Sequence, residues 1–223
     1  MTARKLIVFD WNGTLLDDAS SNLAGFNAVI AHFGLPPTTL ETYRAVMGFP
    51  VIHAYVQMGI TTDDYLKHID EVGQIFLDHY IPHAVQAPLR EGSVGILDWL
   101  IDHHYDLAIL SNFIQEHLED QLSQRHILHK FKHISGNRVF DRHEHTNTTK
   151  LGRLQKILDG QNYDISSSFI VGDSLEEPDL ARETGLKCIS VTWGCVAQTR
   201  LENVEPDFII HSMDEMRDIL LRA

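Results

Sequence analysis

Several side chains that could take part in chemistry lie at the ends of short apolar runs. Asp10, Ser111 and Asp173 each come at the end of such a run, and Asn112 follows Ser111. Runs of this length, rich in Ile, Val and Leu, are typical of buried parallel strands, whose carboxyl ends are where ligands bind. An Asp or Ser in one such place also begins a turn or caps a helix. It is therefore the set of residues that predicts a site.

Carboxylates that meet at one edge of a sheet need a positive partner. Each pair of like charges about 4 Å apart costs on the order of 4 kcal/mol at an effective dielectric of about 20, and a bound phosphate adds to this cost. Hard divalent cations with oxygen ligands solve the problem, and Mg²⁺ with a phosphorylated ligand is the common case. The acids at Glu176, Glu177 and Asp179 fit the same site, although they could also favour a helix N-terminus through its dipole.

The elements that must position these residues alternate along the second half of the chain. The pattern predicts strands at 5–10, 106–111, 133–135, 167–173, 187–193 and 207–211, and helices at 92–104, 114–126, 150–160, 178–184 and the C-terminus. Strand–helix alternation indicates an α/β fold with a parallel sheet and right-handed crossovers. The first strand is too apolar to stand alone, so it is expected to join this sheet.

Residues 17–87 carry helical patterns and no strand pattern. Four helices are predicted there, the first capped by Asp17 or Asp18 and the fourth a long helix that follows Thr61 or Thr62. Because this block follows the first strand, it is an insertion. The predicted domains are an α/β core of residues 1–16 and 88–223 and a helical domain of residues 17–87.

Four features in this order resemble the haloacid dehalogenase (HAD) superfamily, most of whose members are Mg²⁺-dependent phosphatases. They are the motif that begins at Asp10, a strand that ends in Ser111, Lys150, and Gly172-Asp173 with further acids. The resemblance implies a HAD-like Rossmannoid parallel sheet with an inserted four-helix cap. The phosphoglycolate-phosphatase-like group is the nearest, and the sequence departs from its pattern at Asn12, where the second Asp is usual.

The resemblance implies a catalytic role for each matching residue. Asp10 would attack phosphorus and form an aspartyl-phosphate, and Thr14 would order the loop that follows. Ser111 would bind a phosphate oxygen with Asn112 beside it, and Lys150 would offset the charge of Asp10 and the phosphate. Lys150 lacks the Pro that often follows it in the family, so Lys130 and Lys132 stay as alternatives.

The metal ligands implied by the resemblance are the Asp10 carboxylate, the main-chain carbonyl of Asn12, and Asp173. Glu177 occupies the position of the family's further acid, with Glu176 and Asp179 as competitors. In the helical cap, Arg44 could reach a second anionic group of the substrate, or it could be a surface arginine. The adjacent His143, Glu144 and His145 could suggest a zinc site, but such residues in a polar loop are more often solvated.

Asn12 divides the functional hypotheses. The Asp usual at this position protonates the leaving oxygen and later activates water, whereas an amide cannot transfer a proton at accessible pH. Losing such a group typically costs 10²–10⁴-fold in rate. The chain could therefore prefer good leaving groups or use an acid from the cap, or it could be a slow phosphatase. Alternatively, it could bind a phosphorylated ligand in a regulatory role with little turnover.

Composition limits the partners. The 223 residues carry a formal charge of −13, which argues against a nucleic-acid or anionic-membrane partner. The two cysteines fit a reduced cytoplasmic chain better than a disulfide scaffold. We expect no signal peptide and no membrane span. The expected partner is a small phosphorylated substrate, and the expected state is a monomer or a homodimer.

Overall fold

Six parallel strands form a single sheet in the computed structural model, which describes residues 3–137 and 149–222. The strands are β1 (Lys5–Phe9), β2 (Tyr105–Ile114), β3 (His133–Asn137), β4 (Phe169–Gly172), β5 (Lys187–Val191) and β6 (Phe208–Ile210), in the order β3-β2-β1-β4-β5-β6. The predicted parallel α/β sheet is confirmed. From β1 the chain continues to β2 and β3 on one side of the sheet and then crosses to β4 on the other side. The carboxyl end of β1, which pairs with both β2 and β4, therefore lies at a topological switch point.

Helices cover both faces of the sheet. The side chains of β1 alternate, so that Ile7 and Phe9 join one apolar cluster while Leu6 and Val8 join another on the opposite face. The first cluster is covered by α6 (Ser93–Asp102), α7 (Gln115–Gln124) and α11 (Met213–Leu220), and the second by α8 (Lys150–Leu158) and α9 (Glu176–Thr184). A short helix α10 (Gln198–Glu202) follows β5. Burial on both faces explains why these strands are continuously apolar.

The segment between β1 and α6 is helical, as predicted. It contains α1 (Ala19–His32), α2 (Leu40–Val46), α3 (Ile52–Gln57), α4 (Thr62–Lys67) and α5 (Ile69–Ala84), which share a third apolar cluster that also includes Cys195. The predicted long fourth helix is wrong, because it is broken at His68 into α4 and α5. The break lets Tyr65 of α4 stack on Tyr55 of α3 while α5 packs along α1.

The two connections between this helical segment and the rest of the chain run side by side. The main-chain N–H of Asp17 donates to the carbonyl of Pro88 at 3.0 Å, and that of Arg90 donates to the carbonyl of Leu15 at 2.9 Å. Both cysteines, Cys188 and Cys195, are buried and free. Across residues 3–137 and 149–222, we find no helix with the length and apolar character that a membrane span requires. The motif at 143–145 lies outside the described residues.

Candidate active site

The ends of the central strands bring the predicted residues together. Asp10 follows β1, and its main-chain N–H donates to the carbonyl of Val171 in β4 at 2.8 Å. Asp173 follows β4, while Ser111 lies in β2 on the other side of β1. Asp10, Ser111 and Asp173 are all buried. The parallel order of the strands therefore gathers side chains that are up to 163 residues apart in sequence, from Asp10 to Asp173.

Lys150 is the lysine that reaches Asp10. Its ammonium lies 3.3 Å from Asp10 Oδ2 and 2.5 Å from Glu177 Oε1, and its side chain is 3% exposed. Burial by itself lowers the pKa of Lys150, but the charges of Asp10 and Glu177 outweigh it and raise that pKa. The alternatives lie elsewhere, since Lys130 pairs with Asp98 and Lys132 with Asp106.

Glu177 contacts Lys150 and Ser174, and its role as a metal ligand stays a prediction. One of its carboxylate oxygens pairs with Lys150, and the other accepts from the main-chain N–H of Ser174 at 3.0 Å and from its hydroxyl at 2.7 Å. Its side chain is fully buried, and burial tends to raise its pKa, but the charge of Lys150 makes the net shift a lowering. Glu177 thus anchors the lysine that contacts Asp10.

Glu176 and Asp179, the two acids considered as alternatives to Glu177, lie in different environments. Glu176 Oε2 accepts from the side-chain amide of Asn112 at 2.7 Å and lies 3.9 Å from the Lys150 ammonium. Asp179 is exposed and pairs with Arg182 of the same helix at 2.6 Å. Glu176 therefore borders the site, whereas Asp179 belongs to the surface.

Asp173 is held by groups from two loops. The Thr14 hydroxyl donates to its Oδ1 at 3.2 Å, and the main-chain N–H of Cys195 donates to its Oδ2 at 2.6 Å. Burial, followed by the charge of Asp10, raises the pKa of Asp173 to about 8. Glycines at 13 and 194 make room for this carboxylate, because a Cβ at either position would come within 2.3 Å and 2.1 Å of Asp173 Oδ2, respectively.

Asn12 contacts a buried acid that the sequence analysis assigned to a helix cap. Asp18 precedes α1, but its side chain makes no cap hydrogen bond. Instead, its Oδ2 accepts from Asn12 Nδ2 at 2.8 Å and from the Tyr80 hydroxyl at 2.7 Å. Burial raises the pKa of Asp18. Asp18 is the second of two adjacent acids, and Asn22 follows it four residues later; this pair was the local signal in the sequence for the cluster.

An arginine that the sequence analysis missed, Arg153, holds Ser111 and Asn112 in place. Arg153 of α8 donates to the Ser111 carbonyl at 2.6 Å and to Asn112 Oδ1 at 2.9 Å. The Ser111 hydroxyl donates to Asn12 Oδ1 at 3.4 Å and accepts from the main-chain N–H of Phe113 at 3.2 Å. Arg153 lies three residues after Lys150, so a single helix supplies both cations.

Arg44 contacts the core of the protein, and its contact with a second anionic group of the substrate stays a prediction. Its guanidinium donates to the carbonyls of Gly194 and Trp193, both at 2.7 Å. Both acceptors lie in the loop that follows β5, beside the Cys195 N–H that holds Asp173. The partners are main-chain carbonyls of this chain, so Arg44 joins the helical segment to the core.

The donor set fits a hard divalent cation. Asp10 and Asp173 are buried carboxylates, and burial, followed by the charge of Asp10, raises the pKa of Asp173. Together with the main-chain carbonyl of Asn12, they supply the oxygen ligands that Mg²⁺ prefers. A divalent charge would relieve the repulsion that Lys150 only partly offsets.

Comparisons with known proteins identify the family of this chain. A family model described as haloacid dehalogenase-like hydrolase matches residues 7–191. The phosphoglycolate phosphatase of Agrobacterium fabrum is 27% identical over 216 residues, which cover 94% of this chain and 91% of that protein. Phosphoglycolate phosphatase 1 of Pseudomonas aeruginosa is 22% identical over 224 residues, which cover 97% and 78%, respectively.

A solved structure gives the same result for the fold. A haloacid dehalogenase-like hydrolase from Streptococcus pneumoniae superposes with a TM-score of 0.79 at 26% identity, covering 98% of this chain and 99% of that one. The resemblance drawn from the sequence is confirmed, including the likeness to phosphoglycolate phosphatases. The family match over most of the chain, on a fold whose strand ends gather the matching residues, shows that this protein belongs to the haloacid dehalogenase-like hydrolases.

Proposed function

We propose that this protein is a Mg²⁺-dependent phosphatase that hydrolyses a small phosphorylated metabolite through a phosphoryl group carried on Asp10. The observation that carries the proposal is the way the Asp10 carboxylate is held. The main-chain N–H of Trp11 donates to its Oδ1 at 2.7 Å, and the Lys150 ammonium donates to its Oδ2 at 3.3 Å. The names of the similar proteins, phosphoglycolate phosphatases, support the same reaction class.

Each residue has a defined task in this reaction. An oxygen of Asp10 forms a bond to phosphorus while the bond from phosphorus to the leaving oxygen breaks. Water then attacks phosphorus, the bond to Asp10 breaks, and inorganic phosphate leaves. Lys150 favours the ionised form of Asp10 and offsets phosphate charge, and Ser111 offers its hydroxyl to a phosphate oxygen. Bound Mg²⁺, held by Asp10, Asp173 and the Asn12 carbonyl, would stabilise the charge of the transferred group.

We also propose that residues 17–87 act as a cap that opens and closes over a core of residues 1–16 and 88–223. The paired connections at Asp17–Pro88 and Leu15–Arg90 bring both ends of the segment to one place, which suits a hinge. Closure would exclude water and complete the site. Crystals grown with and without a phosphate analogue should differ in cap angle, and equal angles in several crystal forms would contradict this motion.

We propose a binding function as the second candidate, because the amide of Asn12 cannot transfer a proton. A protein with this site could bind a phosphorylated ligand with Mg²⁺ and turn it over very slowly, in a regulatory role. The two functions share the metal site and the phosphate site, and they differ in whether Asp10 becomes covalently modified.

The test is a screen of phosphate esters and acyl phosphates with Mg²⁺ and with EDTA, using Asp10→Asn as the matched control. If the protein is a phosphatase, the wild type should release phosphate from a substrate only when Mg²⁺ is present, and Asp10→Asn should release none. Acid-quenched wild type should also carry the added mass of one phosphoryl group on the peptide that contains Asp10. Activity that persists in EDTA would refute the metal assignment, and Mg²⁺-dependent binding of phosphate with no turnover would favour the regulatory role.

A further inference from the structure

The side chain of Asn12 is fixed by a buried carboxylate that has only donors around it. Asp18 is fully buried, and its Oδ1 accepts from the Gly13 N–H at 2.7 Å. Its Oδ2 accepts from Asn12 Nδ2 at 2.8 Å, from the Tyr80 hydroxyl at 2.7 Å and from Asn22 Nδ2 at 2.9 Å. Both oxygens of Asp18 therefore act as acceptors, and the atom that position 12 turns toward them has to be a donor.

This requirement decides which way the Asn12 amide points. If the amide were turned over, its oxygen would face Asp18 Oδ2 at hydrogen-bond distance, and two acceptors would repel each other. The Nδ2 group has a second contact, with the Tyr80 hydroxyl at 2.6 Å. The contacts of Nδ2 with Asp18 and Tyr80 thus lie on one side of the amide, and Oδ1 faces Ser111 at 3.4 Å.

We propose that Asp18 is a positioning residue that makes Asn12 present an acceptor to the reaction site, so that the substrates are phosphates with good leaving groups, such as acyl phosphates. This inference rests on the proposed function. A phosphate monoester of an aliphatic alcohol expels a basic alkoxide, which needs a proton or at least a hydrogen bond. Asn12 turns its Nδ2 group toward Asp18 and Tyr80 rather than toward the leaving oxygen, whereas a carboxylate leaving group needs neither a proton nor a hydrogen bond. The outward Oδ1 can still accept a hydrogen bond from the attacking water.

The first test compares leaving groups in the wild-type protein with Mg²⁺. Acetyl phosphate should be hydrolysed faster than glycerol phosphate, with kcat/KM larger by a factor of about 10² or more, which is the usual contribution of an acid. Equal kcat/KM values for the two substrates would overturn the inference and leave the proposed phosphatase function intact. Because an Asn-Gly pair is prone to deamidation, mass spectrometry of the peptide with Asn12 must first show no Asp.

The second test exchanges the amide and the acid. Asn12→Asp alone places two carboxylates in contact, so it should lower the thermal unfolding midpoint and gain little on glycerol phosphate. The double variant Asn12→Asp/Asp18→Asn restores a donor and an acceptor in this contact. It should recover the midpoint and hydrolyse glycerol phosphate about tenfold or more faster than the single variant, with little change on acetyl phosphate.

Asn22→Ala serves as the matched control, because it removes one donor to Asp18 without touching Asn12. Its preference between the two substrates should equal that of the wild type. If Asn12→Asp alone is as stable and as active on glycerol phosphate as the double variant, Asp18 does not position Asn12. If no variant hydrolyses any phosphate, the proposed function fails, and the unfolding midpoints alone decide whether the pair is coupled.

Discussion

Replacing Lys150 by methionine should remove the charge that holds the Asp10 and Glu177 carboxylates together. Lys150 is 3% exposed, and it lies 3.3 Å from Asp10 and 2.5 Å from Glu177. Methionine retains most of the apolar stem, so the loss is chiefly electrostatic. Removing one partner of a buried ion pair typically costs about 3–5 kcal/mol, because the remaining charge stays buried. We expect a loss of this size in the free energy of unfolding.

The measurement is urea denaturation of the wild type and Lys150→Met in EDTA, evaluated by linear extrapolation. Lys132→Met is the matched control. Lys132 is 39% exposed and bonds Asp106 at 2.7 Å, while Arg4 holds the same carboxylate at 2.8 Å. Asp106 is buried, but Arg4 still pairs with it when Lys132 is lost, and the Lys132 ammonium is partly solvated, so this change should cost clearly less than Lys150→Met.

The loss in the free energy of unfolding of Lys150→Met should depend on pH. In the wild type, Lys150 brings the pKa of Glu177 below its ordinary value against the opposing effect of burial. Without Lys150, burial raises that pKa above the unfolded value, so the folded state takes up a proton at low pH. The loss in Lys150→Met should therefore be larger at about pH 8 than at about pH 5. A deficit no larger than that of Lys132→Met at every pH would refute the buried ion pair.

Three further changes test the rest of the site. Asp173→Asn should abolish Mg²⁺ binding in calorimetry and also abolish hydrolysis, with the circular dichroism spectrum unchanged; retained binding would contradict the ligand assignment. Gly13→Ala should abolish activity, because its Cβ would lie 2.3 Å from Asp173 Oδ2. Gly34→Ala, at a similar φ of +75° with nothing within 4 Å, should cost only about 1–2 kcal/mol of stability and keep full activity. Arg44→Ala should lower the free energy of unfolding by about 1.5–3 kcal/mol, because hydrogen bonds from a charged donor are lost. It should also increase hydrogen exchange in the cap and leave KM unchanged. A large rise in KM would instead indicate that Arg44 binds the substrate.

The sequence by itself determined the class of the fold and the edge of the sheet where the site lies. Strands buried on both faces must be continuously apolar, and β1 and β4 carry that pattern directly into Asp10 and Asp173. Because parallel strands end at the same edge, the convergence of these carboxylates followed from the order of elements along the chain. The helical character of the cap followed in the same way from periodicity, although the break at His68 did not.

Only the tertiary structure decided which side chains share contacts. The choice among Lys150, Lys130 and Lys132 depended on where each lies relative to the sheet, and the sequence offers no measure of that. Asp18 had the local pattern of a helix cap, but its partners include Tyr80, which comes 62 residues later and reaches it only when α5 folds back toward β1. A hydrogen bond depends on distances of a few tenths of an ångström between atoms from distant segments. Periodicity and spacing describe only neighbours along the chain, so the contacts of Asn12 with Asp18 and of Glu177 with Lys150 had to come from the packed structure.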